Sequence, residues 1–207
     1  MFGGTRSLVL AVAVYIASAG ALALQQQGLQ YDEALMVLGT VQMRNSPQIL
    51  PLPQDAYTWQ CLGGRCFPLM TMSYVGAFKE YLTLPGMMLF GSTSAVVRLT
   101  SILWASLAVW GVGRFAGRWA ALLLAISPSF ADQTAFDNGA VVGTMGALGR
   151  MGIAVARYLE RPTVMLAFAI GAAAGLGFWC RANFLWVLIG VGIGWSPEVY
   201  RWLKGRP

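Results

Sequence analysis

Long apolar runs separated by short charged stretches dominate the pattern of the chain. The first run, residues 8–24, follows Arg6 and is long enough to cross a bilayer core with little tilt. We expect residues 1–24 to form an N-terminal transmembrane anchor. The charged start and the small residues Ala21 and Ala23 also fit a cleavable signal peptide. Both interpretations place the following segment outside the membrane.

Residues 25–94 form the longest polar stretch and are interpreted as one large external loop carrying interfacial helices. Within it, residues 74–90 mix apolar side chains with Lys79 and Glu80 and contain Pro85. This pattern favours a helix lying on the membrane surface. A short membrane span is the alternative, but it would reverse the side of the basic residues that follow it.

Residues 95–195 predict a helical transmembrane bundle, followed by a basic cytoplasmic tail at 196–207. Spans are expected near 95–112, 119–130 and 139–156. The apolar stretch 162–195 is too long for one crossing, so we expect two helices that turn near Arg181. The predicted fold class is an all-α polytopic membrane protein with about six transmembrane helices of about 20 residues each.

Composition agrees with a membrane protein and excludes a cytosolic enzyme. Hydrophobic residues make up 57% of the chain and charged residues 11%, whereas soluble domains carry about a quarter charged residues. The chain contains no histidine, which removes imidazole bases and His-ligated zinc. Acid or base chemistry must therefore use carboxylates.

The net charge of +6 is interpreted as membrane orientation and not as nucleic-acid binding, because the basic residues are scattered between apolar runs. More of them fall inside than outside when the long loop is external. The inner residues are Arg6, Arg114, Arg118, Arg157, Arg161, Arg201, Lys204 and Arg206. Arg150 falls inside a helix, a turn or two from the inner face, where it either faces a partner or snorkels.

Several acids collect on the predicted outer side. Asp32 and Glu33 follow the first span closely, where a carboxylate can accept a proton from an acceptor hydroxyl. Ordinary surface charge near a helix start is the alternative. Asp132 and Asp137 lie in a short loop that reaches the same face, and Asp137 can instead cap the next helix.

Arg181 is the most costly charge in the chain, because it interrupts an apolar hairpin. A phosphate is its natural ligand, and snorkelling to the interface is the alternative. Cys61 and Cys66 flank Leu-Gly-Gly-Arg in the external loop, which favours a disulfide over two free thiols. Small residues spaced by four predict close helix approach at two pairs, Gly139 with Gly143 and Gly171 with Gly175.

The order of these features resembles the GT-C superfamily of membrane glycosyltransferases. It looks most like the group that contains protein O-mannosyltransferases and lipid A aminoarabinose transferases. The matching residues are Tyr31-Asp32-Glu33, Leu89-Phe90-Gly91, Arg98-Leu99, Arg114-Phe115-Ala116-Gly117-Arg118, Ser127-Pro128, Asp137, and Gly175-Leu176-Gly177-Phe178 leading to Arg181. Together they cover most of the chain.

The resemblance implies inverting transfer of a sugar from a polyprenyl-phosphate carrier to a hydroxyl at the outer face of a bacterial-type inner membrane. Asp32 matches the catalytic base, with Glu33 beside it, and Asp137 matches the second acidic position. Arg181 aligns with a basic residue, there typically Lys, that contacts the donor phosphate, and Lys79 is a second candidate for that contact. The acceptor is a lipid, a glycan or a protein.

Two features depart from that family. The basic-Pro-Pro-Leu motif usual before the interfacial helix is absent, with Ser73 to Lys79 in its place. The chain also ends after about six predicted spans, whereas relatives continue. A partner subunit is therefore possible, as is a divalent metal held by the external acids. The competing hypothesis is a non-catalytic membrane protein: a truncated relative, an accessory subunit or a small carrier.

Overall fold

A computed structural model describes residues 5–45, 58–137 and 140–204, and the side chains of the last helix as far as residue 194. These residues are mostly helical. The helices are α1 (Thr5–Gln25), α2 (Tyr31–Leu35), α3 (Leu38–Asn45), α4 (Phe78–Phe90), α5 (Ser94–Ala116), α6 (Arg118–Ala125), α7 (Pro128–Ala135), α8 (Val141–Glu160), α9 (Val164–Cys180) and α10 (Phe184–Lys204). The strands are β1 (Thr58–Leu62), β2 (Arg65–Met72) and β3 (Val75–Gly76).

Two of the described helices, α1 and α5, are long and apolar enough to cross a membrane. Helix α9 and the first part of α10 are apolar but shorter. Helix α9 leaves Val164, Met165 and Phe168 largely exposed. The predicted tail, 196–207, is helical as far as Lys204 because α10 continues through it.

The long helices alternate in direction and define a common end of the bundle. Helix α1 is antiparallel to α5, because Leu8 packs against Gly113 at one end while the Ala23 carbonyl accepts a hydrogen bond from Arg98 at the other. Helices α1, α7 and α9 finish at this second end, where α5, α8 and α10 begin. We call it the site end.

The third predicted span, 119–130, is wrong as a single helix. Two eight-residue helices, α6 and α7, occupy this region. The Ser127 hydroxyl accepts a hydrogen bond from the backbone N–H of Phe130, and Pro128 takes the first helical position, so a new helix starts there. The pair still returns to the site end, because the ring of Phe136 lies 4.9 Å from the guanidinium of Arg98.

Residues 58–76 form a small antiparallel sheet, which the all-helical prediction missed. Strands β1 and β2 form a hairpin around Gly63 and Gly64, whose φ angles of +59° and +77° suit a two-residue turn. Cys61 and Cys66 face each other across this hairpin and are joined by a disulfide of 2.05 Å. The hairpin is therefore closed covalently next to its turn.

Helix α4 begins at Phe78, and not at residue 74 as predicted, because the preceding residues belong to β3 and its connections. Its 13 residues span about 20 Å at about 1.5 Å per residue, less than the roughly 30 Å of a bilayer core. The helix packs against the sheet through the Tyr81 hydroxyl, which donates to the Pro68 carbonyl at 2.6 Å. Burial raises the pKa of Tyr81 above 10, and the neighbouring Glu80 adds to the shift.

Helices α5 and α8 approach closely at glycines that the sequence analysis did not single out. A Cβ atom at Gly149 would lie 2.1 Å from the Leu107 carbonyl oxygen, and one at Gly111 would lie 2.3 Å from that of Gly149. Of the predicted pairs, Gly143 does pack tightly, against Cys180 and Phe78. Gly171 and Gly175 face open space, which contradicts the packing role expected of them, and Gly139 lies outside the described residues.

We expect Gly149→Ala to lower the free energy of unfolding by about 1–3 kcal/mol, since the added methyl group meets backbone that cannot move aside. Gly171→Ala is the matched control, because its Cβ has no neighbour within 4 Å and alanine favours the helix by about 1 kcal/mol. Thermal unfolding in mild detergent compares the two variants. Equal melting temperatures would contradict this packing.

Candidate functional site

A buried ion pair anchors the short helix that carries Asp32. Arg98 Nε lies 3.0 Å from Glu33 Oε1, and Arg98 Nη2 lies 2.9 Å from Glu33 Oε2. The side chains are 3% and 0% exposed. Arg98 also donates to three backbone carbonyls at 2.6–3.0 Å, those of Ala23, Gln26 and Gly28. Glu33 is therefore a structural partner of Arg98 in this arrangement.

A second buried ion pair joins two residues that the sequence analysis assigned to the site. Lys79 Nζ lies 2.8 Å from Asp137 Oδ2, with side-chain exposures of 6% and 0%. The other oxygen, Asp137 Oδ1, accepts a hydrogen bond of 2.7 Å from the backbone N–H of Val142 at the start of α8. Asp137 thus caps α8 and compensates the charge of Lys79, so both groups already have partners.

Asp32 differs from these acids, because it is half-buried and its carboxylate has no hydrogen bond or ion pair with the described residues. It lies one helical turn before Met36, so both side chains are on one face of α2. Met36 packs against Val75 of β3 and Ala140 at the start of α8. Asp32 is thereby held at the site end, beside the loop that carries Asp137.

The turn that carries Arg181 is tied to the same region. The backbone N–H of Ala182 donates to the Tyr74 carbonyl at 3.0 Å, and Tyr74 precedes Val75. Gly177 permits this turn, because a Cβ there would lie 2.5 Å from the Phe184 ring. The structure therefore brings α2, the sheet and the Arg181 turn together at one end of the bundle.

Arg181 lines a cavity of about 280 Å³ between α7, α8 and α10. Its Nε is buried and has no hydrogen-bond partner among the described residues. Apolar side chains of α8 and α10 form most of the wall, and three polar side chains join Arg181: Gln133, Thr144 and Asn183. An arginine whose buried Nε has no hydrogen-bond partner in such a cavity is suited to an anion.

A second apolar cavity extends the first one along α8. It has a volume of about 300 Å³ and is lined by α5, α8 and α10. Leu148 lines both cavities, with Val141 on the Arg181 side and Val155 on the other. Val155 follows Val141 by 14 positions, which is about 21 Å along the helix. Together the cavities form a groove with a cation at one end, which we call the α8 groove.

The remaining predicted residues contribute less to this arrangement. Asp132 is exposed on α7. Where the chain is described, no group of three or more Cys, Asp or Glu side chains is arranged to hold a metal ion. The sequence analysis missed the role of Arg98, whose only signal was a charge four residues inside an apolar span.

No protein-family model matches the chain, and no curated protein or solved structure matches it.

Proposed function

We propose that the protein is a GT-C type glycosyltransferase that moves a sugar, with inversion, from a polyprenyl-phosphate carrier to a hydroxyl at the outer face of a bacterial-type inner membrane. About six crossings of about 20 residues each would accompany this function, with the site end outside. The observation that carries the proposal is the α8 groove, which pairs a long apolar wall with the unpartnered Nε of Arg181.

A lipid phosphate matches both parts of this groove. Its phosphate would accept charge-assisted hydrogen bonds from Arg181, and its apolar chain would lie along α8 between Leu148 and Val155. A soluble sugar nucleotide has no long apolar chain that would pack against such a wall. The groove therefore favours a lipid-linked donor.

Asp32 is the carboxylate best placed to act as the base. It would take the proton of the acceptor hydroxyl while the hydroxyl oxygen attacks the anomeric carbon. The bond from that carbon to the phosphate oxygen breaks, and the phosphate leaves with the electron pair, stabilised by Arg181. Glu33 and Asp137 act as positioning residues in this scheme, since Arg98 and Lys79 already engage them.

A non-catalytic, lipid-binding role is the second candidate. The observation in its favour is that Glu33, Lys79 and Asp137 already form buried ion pairs within the protein. In that case the α8 groove would hold a lipid without turning it over. Transfer assays on Asp32 variants separate the two candidates, because binding alone does not need a base.

Arg181→Gln is expected to weaken binding of polyprenyl phosphate about 10- to 100-fold, since a hydrogen bond to a charged group contributes about 1.5–3 kcal/mol. Arg150→Gln is the matched control, because it removes a charge on another face of α8. Titration of the detergent-solubilised protein with labelled polyprenyl phosphate measures both. Equal affinity in Arg181→Gln would contradict the proposed phosphate site, and equal binding of the phosphate-free polyprenol would do the same.

A further inference from the structure

Arg150 is a charged residue in the middle of the bundle that the proposed function does not use. Its guanidinium carbon lies 3.9 Å from the centroid of the Trp104 ring. The arginine is exposed, while the tryptophan beneath it is almost fully buried. The Phe78 ring continues this surface, 5.0 Å from Trp104. Arg150 is therefore laid flat on an aromatic support at the surface of the bundle.

In the topology that goes with the proposed function, on which this inference rests, α8 crosses the membrane and Arg150 lies deep in the bilayer, where a charge is costly. It is nine residues from the start of α8 and ten from its end, which is about 14 Å and 15 Å of helix. Trp104 is likewise near the middle of α5, a helix long enough to span a membrane. The arginine side chain is shorter than either distance, so snorkelling to an interface does not solvate it.

The guanidinium N–H groups of Arg150 have no hydrogen-bond acceptor among the described residues. A guanidinium has five N–H donors, and no described residue provides it with a hydrogen bond or a carboxylate. Stacking on Trp104 supplies a cation–π interaction and no acceptor for these donors. Intramembrane charges of this kind pair with one another or face the interior of an assembly.

The surface around Arg150 is separate from the α8 groove. Two residues turn an α-helix by about 200°, so Arg150 points away from Leu148, which lines the groove. Leu103, next to Trp104 on α5, is half-exposed. An occupant here would contact apolar side chains around one positive charge. It would leave the proposed donor site free.

We propose that Arg150 and Trp104 form a docking point for a membrane helix outside these 207 residues that carries an Asp or Glu at the middle of its span. Charge complementarity identifies the carboxylate, and the apolar surroundings identify the helix. No acid whose side chain is described would supply it from a second copy of this chain. The described acids lie near the site end, as Asp32 and Asp132 do, or at the opposite end, as Glu160 does.

Photo-crosslinking in the native membrane tests this proposal. A photoreactive amino acid replaces Leu103 in the full chain, and the same probe at Leu123, an exposed position on α6, serves as the positional control. We expect an adduct from position 103, and peptide sequencing should place the cross-link in an apolar segment with a central Asp or Glu. Arg150→Lys should retain the adduct, whereas Arg150→Gln should reduce its yield at least ten-fold at equal protein level.

Charge reversal completes the test. Arg150→Asp should abolish the adduct, and replacing the identified acid in the partner by Arg should restore it. An adduct of two copies of this 22.3 kDa chain would overturn the proposal, as would cross-linking to lipid alone. An adduct whose yield is the same with Arg150→Gln would also overturn it, because the charge would then have no part in docking.

Discussion

Replacing Asp32 by Asn lowers the rate of sugar transfer about 100- to 10,000-fold, the range that a general base contributes. The amide cannot take up the proton of the acceptor hydroxyl. The carboxylate of Asp32 has no described partner, so the substitution removes no visible contact and the protein should remain folded. The measurement is the initial rate of labelled sugar transfer from a polyprenyl-phosphate sugar, with mannose or aminoarabinose as the sugar, in membranes holding equal amounts of each variant.

Asp132→Asn is the control for this experiment. Asp132 is an exposed acid that the structure places on α7 at the site end, so it tests for a general effect of removing negative charge there. We expect its transfer rate to stay within about two-fold of the wild type, well below the effect of losing a base. Normal transfer by Asp32→Asn, or equal losses in both variants, would remove Asp32 from the role of base.

Arg98→Met is expected to lower the free energy of unfolding by about 3–5 kcal/mol, the usual consequence of breaking a buried ion pair. It leaves the Glu33 carboxylate buried without its counterion, and it removes the donors of three backbone carbonyls. Because Arg98 joins the end of α1 to α2 and α5, the loss should also loosen the helix that holds Asp32. Thermal unfolding of the purified protein gives the size of the effect.

The double variant Arg98→Met with Glu33→Leu distinguishes an unpaired charge from lost packing. Removing both charges should recover part of the loss, since the buried carboxylate is then gone. Recovery stays incomplete because the carbonyls of Ala23, Gln26 and Gly28 still lack donors. A double variant as unstable as Arg98→Met alone would show that the Glu33 charge is not what destabilises the single variant.

Hydropathy predicted the helices of the bundle better than it predicted their breaks. The long apolar runs predicted the positions of α1 and α5 well, because a run of about 20 apolar residues is typical of a single membrane-spanning helix. The break between α6 and α7 was missed although Ser127-Pro128 is a helix-start signal. Apolarity alone does not report where a backbone is capped.

The β1–β2 hairpin could also have been predicted from the local sequence. Gly63-Gly64 between two short runs is a recognised signal for a two-residue turn. The interpretation of the loop as helical gave that signal too little weight. The cysteines on either side, already expected to form a disulfide, required the same close approach of two chain segments.

Pairing between charges was the part of the site that no spacing rule could predict. Glu33 and Arg98 are 65 residues apart. Lys79 is on α4, whereas Asp137 lies in the loop between α7 and α8. Six of the eight acids were predicted from the sequence to lie on one side of the bundle, but the sequence did not show which of them would be buried with a basic side chain. Of the predicted catalytic and phosphate-binding residues, Glu33, Lys79 and Asp137 are in buried ion pairs. Asp32 and Arg181 have no ion pair with the described residues.

The fate of the donor lipid is the sharpest test of glycosyl transfer by this protein. Native membranes with the wild-type protein are given a polyprenyl-phosphate sugar, and mass spectrometry follows its conversion to free polyprenyl phosphate. We expect one polyprenyl phosphate to be released per sugar transferred. The rate of release should fall in both Asp32→Asn and Arg181→Gln. A donor that stays intact beside folded, membrane-inserted protein, or release that ignores both substitutions, would contradict glycosyl transfer at this site.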